Sequence, residues 1–146
     1  MQHAFIGTEN TNFWNKKTFK AALETNYNPL IKQIMNLPKP VICGINGVAA
    51  GAGCSLALAC DFRIAVENAL LIEIFINVGL VPDSGSTFTL PRMIGLPRAY
   101  QMCSLAEKLS AKEAKQLGLI NIVVLSSDVL HVALEKVFSK ICWNAY

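Results

Sequence analysis

A chain of 146 residues, 53% hydrophobic and 16% charged, can form one ordinary domain, since about 68–70% of the unfolded surface is hidden at this size; its apolar bias points to a heavily buried core or a subunit interface. Thirteen basic against ten acidic residues leave a net charge of +3, too small and too scattered for a nucleic-acid surface. The five cysteines lie mostly in apolar runs and lack a C-x-x-C pair, so they read as reduced core residues of a cytoplasmic protein, with no zinc or other metal site.

Along the chain, residues 1–15 have no clear period and no cationic segment leading into an apolar core, so they read as a loose start without a signal peptide. From Lys16 to Met35 the apolar positions Phe19, Leu23, Tyr27, Leu30, Ile31 and Ile34 recur every three or four residues, which predicts an amphipathic helix. It should stop before Pro38 and Pro40, because proline disfavours helical geometry in the residue before it. Val41–Ile45 predicts a short buried strand. After a turn of small residues, Cys54–Cys60 is apolar on every side and predicts a wholly buried helix. Val41–Cys60 is also an uncharged run of twenty residues, about the length of a membrane span. Its many Gly, Ala and Cys, with Asn46 and Ser55, argue against that reading.

Phe62–Val66 predicts a second strand and Leu70–Ile76 a third extended run, with Glu73 as its single charge. The two glycines and Pro82 of Gly79–Ser86 mark a loop, followed by helices over Thr87–Ile94 and around Arg98–Ala106. Ser110-Ala111-Lys112-Glu113 has the spacing of a capping box, so another helix starts there, and Gly118 ends it in the left-handed conformation. Ile120–Leu125 predicts a fourth strand. Ser127 or Asp128 then caps a last helix with the apolar stripe Leu130, Leu134, Val137, Phe138 and Ile141. Strands alternating with helices, without repeat or linker, predict a single α/β domain over residues 1–146 with a largely parallel sheet.

The stretch "NGVAAGAGCSLALACD", residues 46–61, is the main candidate for a site. Its glycines, Gly47, Gly51 and Gly53, run G-x-x-x-G-x-G, which fits neither the dinucleotide fingerprint nor a phosphate loop with its lysine. Small residues can also serve simply to pack a helix tightly against a sheet.

Three blocks in one order, "KPVICGINGVAAGAGCSLALACDFRIA", "NVGLVPDSGSTFTLPRMIG" and "LSAKEAKQLGLINIVV", resemble the central part of the crotonase superfamily, the enoyl-CoA hydratases and isomerases, over about residues 26–124. The whole is most similar to the epoxyphenylacetyl-CoA isomerase branch. The resemblance implies a spiral core of ββα units, incomplete at both termini, and an acyl-CoA thioester as substrate. Coenzyme A is then part of the substrate, no separate cofactor is implied, and neither nucleic acid nor membrane is a partner. It also implies a homo-oligomer, a trimer or a dimer of trimers.

On the same match, the backbone N–H of Ala52, at the start of the buried helix, belongs to an oxyanion hole. A helix start carries unpaired N–H groups and partial positive charge, so it can stabilise an enolate oxygen. Hydratases of the family use two glutamates, and the corresponding positions hold Ser55 and Phe75, which cannot do acid–base work. Asp83 in "GLVPDSGST" stands where isomerase-like members carry a carboxylate, and is implied as the catalytic base. By spacing alone, Asp83 reads first as a helix cap or turn residue. Glu73 is a rival carboxylate, with a solvated or ion-paired edge as its ordinary explanation. Asn77 is a candidate for orienting the loop, whereas His3 and His131 read as neither ligand nor base. Ile72 and Ser86 replace residues usually small in the family, which narrows the pocket or stiffens the loop. Isomerisation of an enoyl-CoA is therefore the favoured expectation. A truncated non-catalytic subunit that self-associates or binds acyl-CoA is the alternative, and an enoyl-CoA hydratase the second alternative.

Overall fold

A computed structural model describes residues 20–125 together with 129, 131, 132 and 135. A helical segment from residue 20 passes through a π-turn at Leu23–Tyr27 into α1, Asn28–Asn36. The predicted start at residues 16–19 lies outside the described residues. Helix α1 ends at Leu37, whose backbone is extended immediately before Pro38, as the restriction on a residue preceding proline requires.

Among the described residues two three-stranded sheets follow, built by the chain alternating between them. Strand β1 (Ile42–Ile45) lies in one sheet and β2 (Val48–Ala50) in the other, and α2 (Ala52–Ala59) leads back to β3 (Phe62–Val66). The pattern repeats with β3 and β4 (Leu70–Ile72), followed by α3 (Ser86–Ile94). Helix α4 (Leu96–Leu105), β5 (Lys108–Ser110), α5 (Ala111–Gln116) and β6 (Ile122–Val124) complete the described elements. The first sheet has the order β1-β3-β6 and the second β2-β4-β5. Every pair is parallel except β4 with β5. The register sets Ile42 beside Phe62 and Ile64 beside Ile122 in one sheet, and Val48 beside Leu70 in the other. The α/β class holds, with two small sheets in place of one.

Two predicted elements change. The extended run stops at Ile72, because its partners Ala50 and Lys108 are the last and first residues of strands only three residues long. Beyond Glu73 the backbone closes into a 3₁₀ segment, Ile74–Val78, ended by Gly79 at φ 69°. Helix α2 is not buried all round either. Gly53 and Leu56, three apart on one edge, are exposed, while Cys54, Ser55, Ala57, Leu58 and Ala59 are buried. The twenty-residue uncharged run is thus split among β1, β2 and α2, and among the described residues no helix is long and apolar enough to cross a membrane.

Ile45, Leu58, Ile64, Leu71, Leu90, Met102, Leu109 and Leu119 belong to one buried apolar cluster. Arg63 is buried on β3 without an acidic partner among the described residues. Carbonyls satisfy it instead: its Nε donates to Leu119 O at 2.6 Å and a terminal nitrogen donates to Cys60 O. Cys43, Cys54, Cys60 and Cys103 are free thiols. Of the last predicted helix, 129, 131, 132 and 135 are helical; its caps and its whole predicted stripe lie outside the described residues.

Candidate active site

The α2 start is shaped by Gly51. Its backbone, at φ 54° and ψ −123°, is one that a residue with a Cβ resists. A side chain there would meet Ile74 at 3.5 Å and the Phe75 ring at 3.6 Å. Gly51 N–H donates to Ile72 O at 2.8 Å, tying the turn to β4, and Gly51 O accepts from Ser55 N at 2.9 Å. No side chain caps the helix. Among the described residues, the Ala52 N–H therefore has no hydrogen-bond partner. Gly53 next to it faces open space, where an added Cβ would touch nothing within 4 Å.

Asp83 is half-buried in the loop before α3. Its main-chain carbonyl accepts from Ser86 N at 3.1 Å, Ser86 Oγ at 3.1 Å and Ser55 Oγ at 3.2 Å. Its carboxylate takes the Ser84 hydroxyl at 2.8 Å and does not cap α3, whose N-cap is Gly85. Ser84 at φ 50° and Gly85 at φ 86° place two successive residues in the left-handed region, and for serine that conformation is strained. Burial raises the Asp83 carboxyl above its ordinary value, and the Ser84 hydrogen bond draws it partly back.

Ser55 joins the two parts. Its buried hydroxyl lies 3.2 Å from Gly51 O at the α2 start and 3.2 Å from Asp83 O in the loop. The helix turn carrying the Ala52 amide and the loop carrying the Asp83 carboxylate are thus neighbours across one oxygen atom. Phe75 is buried beneath the same turn. Asn77 is exposed and makes no side-chain hydrogen bond among the described residues. Ile72 holds Gly51 through its carbonyl. His131 is an exposed helical residue, and His3 lies outside the described residues.

Glu73 departs from its sequence reading as a solvated or ion-paired edge. The side chain is completely buried, and neither carboxyl oxygen has a hydrogen-bond partner among the described residues. The strand ends one residue earlier, and Leu71 and Ile72 at its end are buried as well. Loss of water pushes the carboxyl up to about 7, with the neighbouring Cys54 and Ser86 pulling it down and the Asp83 charge adding to the rise. The signal in the sequence was a lone charge in an apolar run; Ser55, a lone hydroxyl in an apolar helix, was another.

Chemically, the site combines a carboxylate of raised proton affinity with an uncapped helix start. Such a pair can remove a proton and stabilise the negative charge that develops.

Comparison with known proteins gives the same direction. The family model described as Enoyl-CoA hydratase/isomerase matches residues 4–143. The chain is 48% identical over 99 residues to 1,2-epoxyphenylacetyl-CoA isomerase of Escherichia coli (strain K12), covering 68% of this chain and 38% of that protein. It is 38% identical over 118 residues to short-chain-enoyl-CoA hydratase of Clostridium acetobutylicum, covering 81% and 45%. A crystal structure of an enoyl-CoA hydratase from Bacillus anthracis superposes with a TM-score of 0.83 at 38% identity, over 89% of this chain and 50% of that one. The chain therefore spans less than half the length of these curated relatives.

Proposed function

This chain belongs to the enoyl-CoA hydratase/isomerase family, and we propose that within it the chain shifts a double bond in an acyl-CoA thioester. The Asp83 carboxylate takes a proton from one carbon of the acyl chain. The C–H electron pair moves into the thioester, whose oxygen becomes an enolate held by the Ala52 N–H. The same carboxyl then returns its proton to a different carbon, so one base serves both halves and no proton is consumed overall.

The observation that carries this reading is the Ser55 hydroxyl, which stands 3.2 Å from both the helix turn and the Asp83 loop. Isomerisation is favoured over hydration because the two positions matched to the hydratase glutamates hold a buried hydroxyl already engaged with two carbonyls and a buried phenyl ring. Water addition needs an acid and a base at the substrate, and neither side chain supplies one.

Deuterium exchange next to the thioester tests the proposal. The chain should exchange that position and migrate the double bond of an enoyl-CoA. Asp83→Asn should lower both rates by about 10²–10⁴-fold, the usual range for losing a general base, with thioester binding still measurable. Exchange that survives Asp83→Asn overturns the assignment of the base. Binding without exchange in the unsubstituted chain leaves the non-catalytic acyl-CoA-binding reading.

A further inference from the structure

The buried carboxyl of Glu73 has no part in that chemistry, yet it sits beside the turn that the chemistry uses: it follows Ile72, whose carbonyl holds the Gly51 N–H at 2.8 Å at the α2 start, and both its oxygens are buried and unpartnered among the described residues. Cys54, in the first turn of α2 two residues after Ala52, and Ser86, whose hydroxyl holds the Asp83 carbonyl at 3.1 Å, both act on its charge. Cys54 faces it from α2, Asp83 from the loop before α3, and Cys103 from α4, whose thiol is raised first by burial and then by the Glu73 charge. Among the described residues no lysine or arginine pairs with it.

We propose that Glu73 is a positioning residue of this site, a carboxyl kept neutral by its surroundings, whose ionisation adds a second negative charge behind the α2 start and the Asp83 loop and turns the site off. The direction follows from which end of the charge shift Glu73 stands at. Enolate formation moves negative charge from Asp83 towards the Ala52 amide; Glu73 follows the residue bonded to the α2 start, and Asp83 is the last of the groups acting on it, so an ionised Glu73 opposes the anion at Ala52 more than it strengthens Asp83 as a base. The Asp83 charge is one of the causes that hold the Glu73 carboxyl up, after burial. The kinetic consequence rests on the proposed isomerase activity, whereas the charge state of Glu73 does not.

Two measurements separate these. In the free protein with carboxyl-¹³C-labelled glutamate, Glu73 should titrate near 7, and its midpoint should fall in Asp83→Asn, where the neighbouring charge is gone. In turnover, kcat/KM for exchange should decline above that pH in the unsubstituted chain, and Glu73→Gln, permanently neutral, should remove the decline while keeping activity at lower pH. A merely structural role would leave the alkaline limb in place. A Glu73 midpoint in the ordinary glutamate range, or an alkaline limb that persists in Glu73→Gln, overturns the proposal. If the unsubstituted chain shows no exchange, the isomerase reading fails while the titration still decides the state of Glu73. If Glu73→Gln does not fold, the labelled titration of the unsubstituted chain and of Asp83→Asn decides it.

Discussion

Ser55 and Glu73 show what single residues contribute to this site. Ser55→Ala removes the hydroxyl shared by Gly51 and Asp83, but Gly51 O keeps the Ser55 amide and Asp83 O keeps Ser86. We expect a loss of about 0.5–1.5 kcal/mol in urea unfolding, with a larger loss of exchange activity because the loop is freed. For Glu73 the folded carboxyl is raised from 4.5 to about 7, so between these values the folded state binds more protons than the unfolded one. Its contribution to stability is complete below the lower value and lost as pH rises to the upper one, by about 3 kcal/mol. Unfolding followed from pH 5 to pH 8 should show this decline, and Glu73→Gln should flatten it. The placement of Ala52 at a helix start and of Asp83 in a loop was legible because each sits in a motif. Glu73 was misjudged because a lone charge in an apolar run marks either an edge or a buried functional group, and only depth in the fold separates them.

At the level of elements, what is local was legible. Ser110 Oγ accepts from Glu113 N at 3.3 Å while the Glu113 carboxylate accepts from Ser110 N at 2.9 Å, closing the anticipated capping box on α5. At the other end Gly118, at φ 81°, donates to Lys115 O while Leu119 donates to Ala114 O, the paired bonds of a Schellman ending. Ser110→Ala should cost about 1 kcal/mol by thermal or urea unfolding, and no change would show that the cap carries no energy. The short strands β2 and β5 were not legible. Val48–Ala50 lies inside a glycine- and alanine-rich stretch with no alternation, and is extended because β4 pairs beside it. The same distant partners end β4 before Glu73, which is why the predicted run to Ile76 gave way to a 3₁₀ segment.

Across the whole molecule, sheets of order β1-β3-β6 and β2-β4-β5 require partners far apart in the chain, information that hydropathy periodicity does not contain. The family resemblance supplied the ββα repeat. Val81, Leu96, Tyr100 and Leu105 are each more than two-thirds exposed, a large apolar display for a chain with 53% hydrophobic residues. We propose that copies of the chain associate, as the resemblance implies. Sedimentation equilibrium should give a mass several times that of one chain, and a monomer at micromolar concentration would contradict it.

The central claim is that one acyl thioester meets the Ala52 amide and the Asp83 carboxylate together. Titration of a non-hydrolysable enoyl-CoA thioether ketone into ¹⁵N,¹³C-labelled protein, followed by NMR, tests this most directly. The account predicts that the Ala52 N–H and the Asp83 carboxyl resonances shift along one binding curve with a single Kd. A ligand that binds while either resonance stays still would contradict it.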